Sequence, residues 1–173
     1  MSGESKSVVL YAEDDPDDVF FMQRAFEKAG FAECLAVVRN GAEAIAYLAG
    51  HEVYFDRKQF PIPTFVLLDI KMPKVSGLEV LSWIRKTIGN DLPVFMLSSS
   101  SQDRDVQAAL TLAANGYLLK PSNAGRLAGA LTFIRECCLD KQKLQDRWVH
   151  FEGDQPVSTE KSSLPTDKTP SRS

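Results

Sequence analysis

Acids, a hydroxyl and an amine stand where short apolar runs stop. Glu13 and Asp14 follow Val8-Val9-Leu10-Tyr11-Ala12, and Asp69 follows Phe65-Val66-Leu67-Leu68. Ser98 follows the run from Val94 to Leu97, and Lys120 follows Tyr117-Leu118-Leu119 and precedes Pro121. Each run is continuous and apolar, as expected of a strand covered on both faces. In a parallel sheet these side chains converge on one edge. Three crowded carboxylates repel and raise one another's pKa, which a cation or the Lys120 ammonium relieves. Hard oxygen ligands with open positions suit Mg²⁺, with Mn²⁺ as a substitute. A metal and Lys120 would neutralise charge on an incoming phosphoryl group. Asp69 could then attack phosphorus and form an aspartyl phosphate.

Each piece alone has a plainer reading. Glu13-Asp14-Asp15-Pro16-Asp17-Asp18 is also an acidic helix N-terminus, and Asp69 is also a cap. Lys120-Pro121 is also a simple strand end, and Ser98 to Ser101 a polar loop. The joint order of acid, acid, hydroxyl and ammonium at four strand ends carries the argument.

The elements that must position these groups alternate between strand and helix. Asp15 suits an N-cap and Pro16 the first helical position, with Val19, Met22, Phe26 and Ala29 at helical spacing and Gly30 as terminator. Cys34 to Arg39 reads as a second strand. Asn40 and Glu43 resemble a capping box, as do Ser76 and Glu79. Val106, Ala109, Leu110 and Ala113 mark a fourth helix, and Leu127, Leu131, Ile134 and Cys138 a fifth that reaches about Lys141. Five strand-helix units imply a three-layer, doubly wound α/β fold with a mostly parallel sheet. Ligands in such folds bind at the carboxyl ends of the strands. Tyr54, Phe55 and Phe60, in the long connection from 51 to 63, are expected to pack somewhere.

Composition narrows the function classes. The chain has 173 residues, 44% of them hydrophobic, which suits one globular domain with a core. A net charge of −3 gives no basic field for nucleic acid or an anionic membrane. Cys34, Cys137 and Cys138 lack metal-ligand spacing and suggest no disulfide framework. No signal-peptide pattern or membrane-length apolar run is present, so cytoplasm is the expected location. The expected organisation is a flexible start over 1–6, an ordered domain over 7–145 and a disordered, Ser/Thr/Pro-rich tail over 146–173.

The sequence resembles the receiver domain of two-component response regulators. The resemblance rests on Leu10-Tyr11-Ala12-Glu13-Asp14-Asp15-Pro16 and on Leu67-Leu68-Asp69-Ile70-Lys71-Met72-Pro73, with Gly77 following. Met96-Leu97-Ser98-Ser99 and Gly116-Tyr117-Leu118-Leu119-Lys120-Pro121 complete it. It covers roughly residues 7 to 140, and the acidic start and long connection look like the cyanobacterial phytochrome response regulators. The resemblance implies a flavodoxin-like (βα)₅ sheet in strand order 2-1-3-4-5. It implies Asp69 as phosphoacceptor, Asp14 as direct Mg²⁺ ligand, Glu13 acting through coordinated water, and the Lys71 carbonyl completing the coordination. Lys120 would contact the phosphoryl oxygens, Ser98 would swing toward them, and Tyr117 would turn inward afterward. Ser99 is small, as the family prefers beside the phosphoryl group, and Pro121 would follow a cis peptide bond.

The implied function is a stand-alone phosphorylation switch that signals through protein contacts. Its phosphodonor would be a sensor histidine kinase or a histidine phosphotransfer protein, docking near the first helix. Phe20 and Phe21 lie side by side there, so one of them contacts the kinase or packs at the edge of the core. A downstream protein partner is implied, and a homodimer through the fifth helix region would place Phe133 on its surface. Two rivals stand beside this reading. A haloacid-dehalogenase-like enzyme also uses an aspartyl nucleophile, but it has a second aspartate where this chain has Lys71. A degenerate receiver would bind partners without phosphate, against which the intact Glu13, Asp14, Asp69, Ser98 and Lys120 argue.

Overall fold

The computed structural model describes residues 7–31, 35–100, 102–120, 123–140, 144, 146–152 and 155–164. The expected flexible start at 1–6, Cys34 and the expected cis bond before Pro121 lie outside the described residues. Five short strands form a parallel sheet: β1 (Val9–Ala12), β2 (Leu35–Val38), β3 (Phe65–Asp69), β4 (Val94–Ser98) and β5 (Gly116–Leu119). The helices between and after them are α1 (Pro16–Ala29), α2 (Gly41–Ala49), α3 (Gly77–Thr87), α4 (Asp103–Thr111) and α5 (Ala124–Leu139). Two further strands, β6 (Arg147–Glu152) and β7 (Gln155–Glu160), extend the sheet to the order β2-β1-β3-β4-β5-β6-β7. The flavodoxin-like core order is therefore the one the resemblance implied.

Local chemistry sets the helix ends beside the site. The Asp15 carboxylate accepts from the Asp17 and Asp18 N–H groups, Pro16 opens α1, and Gly30 closes it in a left-handed conformation. Ser76 and Glu79 form the expected capping box on α3. At α2, Asn40 Oδ1 accepts from the Glu43 N–H at 2.9 Å, while the Glu43 carboxylate accepts from the Arg39 backbone N–H and the Asn40 side-chain amide rather than from the Asn40 backbone N–H. Among the described residues, no helix is long and apolar enough to cross a membrane.

Alternation along the strands divides the core in two. Val9, Tyr11, Phe65, Leu67, Phe95, Leu97 and Leu118 pack with α1 and α5. Leu10, Ala12, Val66, Leu68, Val94 and Met96 pack on the opposite face with residues of α2, α3 and α4. In the connection after α2, Tyr54 and Phe60 stack against Tyr47 with ring centroids 5.1 and 6.0 Å away. Phe55, expected to pack as well, is 76% exposed. Arg57 holds this connection down by donating to the Tyr47 and Leu48 carbonyls at 2.8 and 2.7 Å, in the last turn of α2.

Where the sequence suggests a disordered tail from residue 146, β6 and β7 form an antiparallel hairpin, with β6 parallel to β5; the part of that expected tail over 165–173 lies outside the described residues. Trp148 is buried in the core beneath α3 and α4, and Val149 in the core beneath α1 and α5. Val149 N–H donates to the Asn115 carbonyl at 2.9 Å. Gly116 permits this approach, because a Cβ there would sit 2.4 Å from the Val149 carbonyl oxygen. The order of the hairpin thus comes from two apolar residues and a backbone ladder, which average composition does not register. The hairpin also reaches Phe133, which is half-buried and lines a cleft with Leu144, Arg147 and Ser158. The surface expected to be free for a second copy is therefore shared with the hairpin.

Candidate functional site

Four elements deliver the site to the carboxyl edge of the sheet. The Glu13 N–H donates to the Val38 carbonyl at 3.0 Å, which carries the extended backbone one residue past β1. Asp69 is the last residue of β3 and is 6% exposed. Ile70 N–H donates to the Leu97 carbonyl at 3.1 Å, and Gly77 N–H to the Ile70 carbonyl at 3.0 Å. A Cβ on Gly77 would lie 2.1 Å from the Asp69 carbonyl oxygen, so only glycine lets α3 begin this close to Asp69. Lys120 N–H donates to the Ser98 carbonyl at 2.8 Å, fixing where the lysine leaves β5.

The Lys120 ammonium has three protons and three carboxylate partners. Nζ lies 2.5 Å from Glu13 Oε2, 2.6 Å from Asp18 Oδ2 and 2.9 Å from Asp69 Oδ1. Burial disfavours the charge on Lys120, but the bonds to Asp18, Glu13 and Asp69 outweigh it and raise its pKa. Burial raises the Asp69 pKa, opposed by Lys120 and by a hydrogen bond from the Lys71 N–H, and reinforced by the Asp14 charge. Burial likewise raises the Glu13 pKa against the pull of Lys120 and the Asp15 N–H.

Glu13 is almost fully enclosed, at 1% exposure. Its Oε2 accepts from the Tyr11 hydroxyl at 2.9 Å as well as from Lys120, and its Oε1 accepts from the Asp15 N–H at 3.1 Å. Asp14, one residue on, is exposed. One carboxylate oxygen from each of Glu13, Asp14 and Asp69 lies within 4.8 Å of the others. This donor set fits a hard divalent cation. Asp14 and Asp69 could hold it directly. Glu13 has its oxygens engaged by protein donors, which suits contact through water. Such an ion would supply charge neutralisation beside Asp69.

Ser98 is the last residue of β4, and Tyr117 lies within the adjacent β5, in register with Met96. The Ser98 hydroxyl oxygen accepts from the Ser100 N–H at 3.0 Å, and the Tyr117 hydroxyl donates to the Ser100 carbonyl at 2.9 Å. Burial raises the Tyr117 pKa, opposed by the nearby Ser98 hydroxyl. The Tyr117 ring is 5% exposed and so already lies inward in this structure.

The sequence-derived acids, Ser98 and Lys120 thus gather at one edge of the sheet, with Tyr117 farther back along β5. Lys120 contacts Glu13 and Asp69, Asp14 is beside them, and Ser98 and Tyr117 both bond the Ser100 backbone. Lys71 meets the site through its backbone N–H, while its side chain is exposed. Two participants were not singled out by the sequence reading. Asp18 is the third residue of α1, in its acidic first turn, and Tyr11 lies two residues before Glu13, a spacing that puts side chains on one face of a strand. On α1, Phe20 and Phe21 are both about half exposed, and the Arg24 guanidinium lies 5.8 Å from the Phe20 ring centroid. Phe21 borders a cleft beside Lys120 that Tyr11, Asp18, Met22, Leu97 and Leu127 also line.

Comparison with known proteins agrees with this geometry. Residues 9–132 match the family model for the response regulator receiver domain. The chain is 34% identical over 137 residues to the probable methanogenesis regulatory protein FilR2 of Methanothrix harundinacea, covering 79% of this chain and 86% of that protein. The phosphorylated cyanobacterial phytochrome response regulator RcpA superposes with a TM-score of 0.68 at 29% identity, over 79% of this chain and 96% of its own. The Mn²⁺-bound form of Rcp1, from Synechocystis, superposes with a TM-score of 0.65 at 30% identity, over 78% and 95% of the two chains. With the strand order, the acidic triad and the lysine all in place, this chain belongs to the response regulator receiver domain family.

Proposed function

We propose that this chain is a phosphorylation switch that accepts a phosphoryl group on Asp69 and signals by changing its protein contacts. The observation that carries the reading is the Lys120 ammonium 2.9 Å from Asp69 Oδ1, on a sheet edge that also gathers Glu13 and Asp14. Asp69 would attack the phosphorus of a phosphohistidine. A P–O bond forms, the P–N bond breaks, and the imidazole leaves with the electron pair and takes up a proton. Lys120 balances charge on the phosphoryl oxygens. Asp14, Asp69, the Lys71 carbonyl and, through water, Glu13 would hold Mg²⁺ or Mn²⁺, a reading supported by the Mn²⁺-bound Rcp1 structure. Ser98 and Tyr117 carry the signal away from the site.

The phosphodonor is a sensor histidine kinase, of phytochrome type by analogy with RcpA, or a histidine phosphotransfer protein. It docks on α1, where Phe20 and Phe21 are exposed beside the cleft that leads to Lys120. The protein works in the cytoplasm, accepts and holds a phosphoryl group rather than turning over a substrate, and passes the signal to a downstream protein or a second copy of itself. The test is intact mass after incubation with a small acyl phosphate and Mg²⁺. A single phosphoryl adduct, lost in Asp69→Asn and without Mg²⁺, is expected. No adduct on the wild type would sink this reading and favour a phosphate-independent binding module.

A further inference from the structure

We infer that Asp18 is a positioning residue for Lys120, a latch from α1 that gives way when a phosphoryl oxygen arrives. The inference rests on the proposed role of Asp69. An ammonium group donates three hydrogen bonds; here Glu13 and Asp18 take one each, and Asp69 Oδ1 lies 2.9 Å from Nζ as the third anionic partner. A phosphoryl group on Asp69 brings up to three charged oxygens to where one carboxylate oxygen met the ammonium. For Lys120 to bond more than one of them, a further partner must give way.

The three partners are not equally replaceable. Glu13 is 1% exposed and is pinned by the Tyr11 hydroxyl and the Asp15 N–H. Losing Lys120 would leave that carboxylate buried with its charge uncompensated, the most expensive outcome. Asp69 carries the phosphoryl group itself and stays beside the lysine. The Asp18 side chain is 37% exposed, so water can take the place of Lys120 on it. Asp18 is therefore the partner that leaves. It sits in the first turn of α1, one residue before Val19 on the buried face and two before the exposed Phe20. The exchange connects the chemistry at Asp69 to α1.

A latch that competes with the phosphoryl group has an unusual signature: removing it should tighten binding of a phosphoryl mimic. The measurement is fluorine NMR of beryllofluoride bound to the full chain with Mg²⁺, titrated to half-saturation. Asp18→Asn should lower the half-saturating concentration about two- to fivefold. Asp18→Glu should keep it near the wild-type value. Asp17→Asn removes the same charge from the same helical turn without touching the latch, and should change it by much less. In a Lys120→Gln background the effect of Asp18→Asn should vanish, since the latch then has nothing to hold. An unchanged or weaker affinity in Asp18→Asn, with the wild type binding normally, would overturn the role of Asp18 alone. Equal tightening in Asp17→Asn, or tightening that survives in Lys120→Gln, would reduce the effect to through-space charge and overturn it too. Failure of the wild type to bind would overturn the reading of Asp69 and this inference with it.

Discussion

The hydroxyl of Tyr11 donates to Glu13 Oε2 at 2.9 Å, two residues along the same extended segment and out of reach of solvent. The bond fixes a carboxylate whose burial raises its pKa, and the same carboxylate raises the pKa of the phenol, after burial itself. Tyr11→Phe removes the donor and little else. The expected cost is about 1–2 kcal/mol of stability, because one partner of a buried charged acceptor is lost. The urea midpoint of the metal-free protein is the readout. A change below about 0.5 kcal/mol would mean that Lys120 and the Asp15 N–H suffice to hold Glu13.

A second prediction concerns pH. Asp69 has its pKa raised in the fold, so its neutral form is favoured there relative to the unfolded chain. Its contribution to stability is therefore fully present below the unfolded carboxylate range and is lost as pH rises through the folded value. Near neutral pH and without metal, the Asp69 charge works against folding despite Lys120. Asp69→Asn should raise the Tm of the metal-free protein, at about 2–4 °C for each kcal/mol in a chain of this size. The gain should shrink as pH falls through the raised folded value of Asp69, where the wild-type carboxyl also becomes neutral. Adding Mg²⁺ should stabilise the wild type more than the variant. Thermal scans across pH with chelator and with Mg²⁺ check all three; a variant less stable than wild type at neutral pH would show that the bond to Lys120 outweighs burial.

The parts legible in the sequence were those written in local patterns. Continuous apolar runs marked the strands, and the residues after them marked the site, because a parallel sheet gathers its strand ends whatever the loops do. Asp15, Pro16 and Gly30 spelled out the ends of α1 as the structure has them. The partners of those groups were harder to see. Lys120 and Asp18 are 102 residues apart in the chain, and no spacing rule announces their contact. The hairpin was missed for a different reason. Trp148 and Val149 are buried in the core, in a stretch of mostly polar sequence, and the rest of its order lies in the ladder from Arg147↔Glu160 to Glu152↔Gln155 and in the bonds from Arg147 to Ser158. The signal available was two strand-like stretches separated by Gly153 and Asp154, a spacing that suits a hairpin.

That hairpin supplies a third prediction. Trp148 is 3% exposed and packs with the core beneath α3 and α4. Trp148→Ala should cost about 3–5 kcal/mol, the range for deleting a large buried aromatic side chain. Equilibrium urea unfolding measures it. A cost under about 1 kcal/mol would mean that the hairpin is an appendage whose removal the five-stranded core does not feel.

The fourth prediction turns on Gly77, which lies at the start of α3 with its N–H bonded to the Ile70 carbonyl. A methyl group there would meet the Asp69 carbonyl oxygen at 2.1 Å and the Ile70 Cα at 3.1 Å, both backbone atoms that cannot rotate aside. Gly77→Ala must push α3 away from the end of β3 or shift Asp69 itself. The helix gains a better former, worth roughly 0.5–1 kcal/mol at an interior position, but forced contacts in packed regions cost about 1–3 kcal/mol. The net expectation is a loss of stability of about 1–2 kcal/mol. Displacement of Asp69 by a fraction of an ångström should also slow phosphoryl incorporation by about tenfold or more in protein that remains folded. Incorporation rate by intact mass, measured well below the unfolding midpoint, separates the two effects. Slower incorporation in a folded variant places the effect at Asp69, whereas lost stability with an unchanged rate would mean that α3 alone moves to make room.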